Sequence, residues 1–153
     1  MRCAASLSPI SRRLQVRGLQ LDPERLSATM PFMAEHSGFE KLVAEAKKKI
    51  TEISPTEAAA KSKSGEAVII DVREKDEWDE QHIPDAIHMS RGTIELDVEE
   101  KVPDTNAMII CHCGGGGRSA LAAESLQKMG YKNVRSMAGG FKAWKAAGLP
   151  TRK

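Results

Sequence analysis

The spacing of apolar residues changes several times along this chain, and each change marks a predicted element. Phe39, Leu42, Val43, Ala46 and Ile50 recur every three or four positions, which is the stripe of an amphipathic helix. Ser37-Gly38-Phe39-Glu40 reads as a capping box at its start. A second box, Ser54-Pro55-Thr56-Glu57, opens another helix with proline at its first position and a stop near Gly65. Ala67 to Val72 is a short apolar run rich in β-branched residues, as a buried strand requires. A short helix from Asp76 to Gln81 and a short strand from Ala86 to Met89 follow. The pattern then predicts a helix over Thr93 to Lys101, a buried strand over Ala107 to His112, and a helix over Ser119 to Met129. That helix places Leu121, Ser125, Leu126 and Met129 on one side and stops at Gly130. Val134 to Met137 forms a last strand and Gly140 to Ala147 a last helix. Strands alternating with helices imply an α/β fold: one domain with a parallel sheet of about four to five strands, covered by helices on both faces.

The length of 153 residues suits one domain. Composition is that of a globular protein, 41% apolar and 29% charged, and no stretch nears the roughly 20 apolar residues of a membrane span. The net charge of +2 resides in residues 1–35, which hold five Arg and three acidic residues; residues 36–153 are balanced. A balanced body argues against a nucleic-acid partner, and the Lys47-Lys48-Lys49 run reads as the solvated end of a helix. Residues 1–35 are expected to be a disordered extension, upstream of a start at Met30 or Met33. The alternative is a transit peptide to a mitochondrion or plastid, since the first 21 residues carry four Arg and no acid. Three cysteines, two of them only two positions apart, do not suit a disulfide framework. They point to free thiols in a reducing, cytoplasmic setting.

The chemistry concentrates in Cys111-His112-Cys113-Gly114-Gly115-Gly116-Gly117-Arg118-Ser119. This segment runs from a buried strand through four glycines into a helix, the place where parallel sheets bind ligands. Successive glycines let backbone N–H groups turn inward as an anion nest. The helix opening at Ser119 contributes its positive dipole end and Arg118 a full charge. A cysteine facing such a cradle has its thiolate favoured, which makes Cys113 the candidate nucleophile.

Cys113, the four glycines, Arg118 and Ser119 resemble the active-site loop of the rhodanese domain. Val68 to Glu74 through Glu77-Trp78, then His82-Ile83-Pro84 and Ala86-Ile87, is similar to that family's N-terminal signature. Gly139 to Trp144, then Gly148-Leu149-Pro150, is similar to its C-terminal signature. The resemblance covers about residues 52–150. It implies a sulfurtransferase that takes sulfane sulfur from a donor such as thiosulfate, holds it as a persulfide on Cys113 and passes it to an acceptor such as cyanide or a thiol. It also implies that Cys113 and Arg118 are catalytic. Gly114, Gly115, Gly116, Gly117 and Ser119 would bind the persulfide and the departing anion, with Asp71 and Arg73 supporting the loop. The partners are then a small-molecule sulfur donor and acceptor or an acceptor protein thiol, with no cofactor and no metal. Gln81 and Asp85 stand where the family often has glycine. Between Cys113 and Arg118 the loop carries no cationic or hydroxyl side chain, which leaves the donor open.

Three other readings compete. A phosphatase or arsenate reductase of related fold has five residues between Cys and Arg, where this chain has four. A non-catalytic rhodanese module usually lacks the cysteine. A metal site from Cys111, His112 and Cys113 fails because adjacent strand residues point to opposite faces. Cys111 reads as a small buried hydrophobe, with a resolving thiol as the sharper alternative. His82 and His88 read as structural, and Trp78 and Trp144 as core or pocket-wall aromatics.

Overall fold

The computed structural model describes residues 37–153. The expectations for residues 1–35 fall outside them. Helix α1 spans Ser37–Lys49 and strand β1 Thr51–Ile53. Next come α2 (Pro55–Lys63), β2 (Ala67–Asp71), α3 (Lys75–Glu80), β3 (Ile87–His88) and α4 (Ile94–Lys101). The chain ends with β4 (Met108–His112), α5 (Gly117–Lys128), β5 (Asn133–Met137) and α6 (Gly140–Ala146).

The five strands form one sheet in the order β1-β5-β4-β2-β3, and every pair is parallel. β4, the centre of the sheet, is bonded on both sides: Ile110 pairs with Ile69 and with Arg135. Alternation along the strands sorts the apolar side chains into two cores. On one face Ile70, Ile109, Cys111 and Cys113 pack with Ile94 and Val98 of α4 and with Ala122, Ala123 and Leu126 of α5. On the other face Ile69, Ile110 and Met137 pack with Ala58 of α2 and with Phe141 and Trp144 of α6. Helices thus cover both faces, as the sequence pattern predicts.

Local signals explain most boundaries. Ser54 caps α2 by accepting the Glu57 N–H at 3.2 Å, with proline in the first turn and Gly65 leaving the helix at φ +78°. α3 carries a capping box between Glu74 and Glu77. The α1 stripe packs less completely than its spacing suggests. Ala46 is buried, but Phe39 and Leu42 keep 45% and 61% of their surface. Phe39 reaches over Gly117, where a Cβ would come within 3.0 Å of the ring.

Candidate active site

Cys113 follows directly on β4, at the carboxyl edge of the sheet, and its side chain is buried among the apolar residues of the α5 face. Gly116, at φ +101°, turns the chain into α5. The helix therefore opens at Gly117, two residues before the expected Ser119, and Arg118 and Ser119 lie in its first turn. The Gly116 N–H donates to Cys113 Sγ at 3.0 Å. The thiol in turn meets Ser119 Oγ at 3.6 Å, and Ser119 Oγ lies 2.9 Å from Ser136 Oγ. An amide aimed at sulfur binds more strongly when the sulfur is charged.

α6 braces the loop from the other side. Phe141 N–H donates to Cys113 O at 2.6 Å and Lys142 N–H to Gly114 O at 3.2 Å. The approach is so close that a Cβ on Gly140 would sit 2.4 Å from Cys113 O, and Gly140 itself has φ +60°. Only glycine fits there.

Arg118 is placed at the loop, but its charge is matched. Its Nη1 and Nη2 bond the two carboxylate oxygens of Glu77 at 2.7 and 3.0 Å. The full positive charge expected from the sequence is therefore half of an ion pair. This bonding holds the Glu77 carboxyl down at about 2, against the opposing effect of partial burial. The guanidinium lies over Gly114, whose Cβ position is 3.3 Å from Nη2. Glu77 Oε2 also accepts the Glu74 N–H at 3.1 Å, which fixes it to the start of α3.

Asp71 and Arg73 form a second ion pair. Arg73 Nε lies 3.0 Å from both Asp71 oxygens, and Nη2 lies 2.7 Å from Oδ2. The Arg73 N–H also donates to Asp71 Oδ1 at 2.9 Å, and Nη2 donates to Gln81 O at 2.7 Å. The guanidinium stacks 4.2 Å above the ring of Phe141, the residue whose amide holds Cys113 O. Beside this pair lies His112, fully buried, its Nε2 3.5 Å from Asp71 Oδ2 and neither ring nitrogen hydrogen-bonded. Burial pushes the imidazole down to about 4, outweighing the upward pull of Asp71.

Cys111 faces the same core as Cys113, and burial pushes its thiol up to about 12. His82 Nδ1 pairs with Trp78 O, His88 Nε2 with Arg73 O, and both rings stack on Trp78. Trp144 is buried with its Nε1 donating to Pro150 O at 2.9 Å. Among the described residues, no cluster of His, Cys, Asp or Glu converges as a metal site, and no helix is long and apolar enough to cross a membrane.

A parallel α/β sheet with a cysteine at the end of its central strand and a glycine loop feeding a helix defines a class of small cysteine-loop domains. Residues 54–147 match the family model of the rhodanese-like domain, and the chain belongs to that family. It is 37% identical over 95 residues to the thiosulfate sulfurtransferase GlpE of Coxiella burnetii, covering 62% of this chain and 87% of that protein. The solution structure of the polysulfide-sulfur transferase homodimer from Wolinella succinogenes superimposes with a TM-score of 0.66 at 28% identity. That match covers 76% of this chain and 88% of the other. A structure from Rhodopseudomonas palustris, a protein of unknown function described as a possible tyrosine phosphatase, has a TM-score of 0.68 at 33% identity. It covers 80% of this chain and 99% of the other.

Proposed function

We propose that this chain transfers sulfane sulfur from a donor such as thiosulfate to an acceptor such as cyanide or a thiol, through a persulfide on Cys113. The observation that carries the reading is the Gly116 amide 3.0 Å from Sγ at the start of α5, beneath an otherwise bare glycine loop. The Cys113 thiolate attacks the sulfane sulfur, a new S–S bond forms, and the donor's S–S bond breaks with sulfite taking its electron pair. An acceptor nucleophile then takes the outer sulfur and returns the thiolate. The amides of Gly114, Gly115, Gly116 and Gly117, with the hydroxyl of Ser119, receive the added sulfur and the leaving anion. Cys113 is almost fully covered, with 1% of its surface exposed. Asp71 and Arg73 hold the loop through Phe141, and Arg118 holds it through Glu77. The reaction needs no metal or cofactor, its partners are a small sulfur donor and a small or protein-borne acceptor, and its setting is the reducing cytoplasm.

The likeness to the Rhodopseudomonas protein favours a phosphatase as the second reading. Against it, the one cation of the loop is already held by two bonds to Glu77 and does not clamp an oxyanion. The test is sulfur loading by thiosulfate or by a thiol persulfide, read as one added sulfur atom on the Cys113 peptide by mass spectrometry. Cys113→Ser should abolish loading and turnover while the fold persists. Cys111→Ser should keep most activity, because a thiol pushed up to about 12 does not act as a relay at neutral pH. Equal loss in a folded Cys111→Ser variant, or Cys113-dependent hydrolysis of aryl phosphate faster than sulfur transfer, would overturn the reading.

A further inference from the structure

The cation of the loop is less free than its sequence suggests. Between Cys113 and Arg118 the loop has no side chains, so Arg118 is the cation that the loop itself carries. Arg118 is held by both oxygens of Glu77, and Glu74 adds a further negative charge within its field. The pair is one third exposed, with side-chain accessibilities of 32% and 35%, and sits at Gly114, the residue next to Cys113. A Cβ at Gly114 would lie 3.9 Å from Glu77 Oε1. Arg73, just beyond β2, is committed to Asp71 and to Gln81 O and is buried. Lys142 contributes its backbone N–H to the loop and is an exposed residue.

We infer that Glu77 is a specificity-determining residue that turns the site away from dianionic donors and toward monoanionic thiol persulfides. The inference rests on the sulfurtransferase reading above and names the donor class for that same cysteine. Thiosulfate arrives with two negative charges and releases sulfite with two. A dianion gains more from a free cation than a monoanion does, and the cation in the loop is neutralised by Glu77. A persulfide R–S–S⁻ carries one charge. Cys113 attacks its terminal sulfur, the new S–S bond forms as the old one breaks, and R–S⁻ leaves with the electron pair and a single charge. The backbone amides suffice for that load, and the carboxylate of Glu77 opposes it less.

The test compares kcat/KM for thiosulfate and for 2-hydroxyethyl persulfide in the full chain, with loading read on the Cys113 peptide. Glu77→Gln frees the guanidinium without removing the side chain. It should raise kcat/KM for thiosulfate about tenfold, the scale of one partly screened charge, and change the persulfide value less than about threefold. The gain should vanish in the double variant Glu77→Gln with Arg118→Gln, which shows that Arg118 delivers it. In the unmodified protein, rising ionic strength should increase thiosulfate kcat/KM by screening the Glu74 and Glu77 carboxylates. An unchanged or lower thiosulfate value in folded Glu77→Gln, or a thiosulfate value that falls with salt, overturns the assignment to Glu77. Failure of both donors to load Cys113 in the unmodified protein overturns the sulfurtransferase reading itself and the inference with it.

Discussion

Two arginine–carboxylate pairs flank the same loop, and they are built for different ends. Asp71–Arg73 lies under the sheet edge with 0% and 5% side-chain exposure, bonded at every turn and covered by Phe141. Glu77–Arg118 has the same bidentate chemistry on the rim, with about a third of each side chain in water. Buried ions have lost their hydration, so each depends on the other, and removing one strands a charge in the core. On the rim, water replaces whatever a lost partner supplied. The first pair reaches the loop through Phe141, which stacks on Arg73 and bonds Cys113 O, and we propose that it fixes where the loop can stand. The second can be altered with little loss of fold, which leaves it free to tune what the loop binds.

Breaking the buried pair gives the largest effect. Arg73→Ala leaves Asp71 fully buried with only the backbone amide and an unaligned His112 nearby. It should lower stability by about 3–5 kcal/mol, read from urea unfolding. It should also lower sulfur transfer beyond what the unfolded fraction explains, because Phe141 loses the guanidinium stacked on its ring. A loss below about 1 kcal/mol would mean that water or local rearrangement takes over from the guanidinium, and the contrast between the pairs would fail.

The order of elements was legible because buried parallel strands and capped helices leave local marks. Ala67 to Val72 and Ala107 to His112 announced two central strands by composition, and Ser54 to Glu57 announced a helix start. Cys113 was legible from its place between a buried strand and four glycines. β1 was not foreseen as a strand. Three residues at the sheet edge, two of them exposed, show no alternation to read. Glu77 lies in the stretch that resembles the family, yet nothing local marks its role. Its partner is 41 positions away, and an acid on a short polar helix looks like solvated surface. Ser136 and Asp71 reach Ser119 and His112 only through sheet order, which the chain does not spell out. The pairing of Arg118 with Glu77 was hidden by the same gap: spacing places a charge but not what neutralises it.

The buried side can be probed next through His112, which among the described residues has Asp71 within ion-pair distance, with Arg73 adding an opposing charge. Burial lowers the folded imidazole to about 4 from an ordinary value of 6.5. The unfolded chain then binds more protons between those values, so stability is fully present above pH 6.5 and is lost as pH falls toward 4. The loss should reach a few kcal/mol, read as a falling urea midpoint, and should be largely absent in His112→Asn. A midpoint that stays flat from pH 6.5 to 4.5 in the unmodified protein would show that His112 finds a proton acceptor on folding.

The rim pair gives the smallest effect on stability. Glu77 is lowered to about 2, chiefly by the Arg118 hydrogen bonds, so its contribution is present above the ordinary carboxylate value of 4.5 and fades as pH falls toward 2. Solvent screens a pair this exposed, and Glu77→Gln should change unfolding stability by less than about 1 kcal/mol at neutral pH. Its acid window lies below that of His112, so the two are separable in one titration. The midpoint should drop first between pH 6.5 and 4 in the unmodified protein and in Glu77→Gln alike. The further slope below pH 4.5 should be shallower in Glu77→Gln. A stability loss near that of Arg73→Ala would place Glu77–Arg118 among the structural supports of the loop. A small loss joined to a changed donor preference would show that the exposed pair sets selectivity on a frame the buried pair holds.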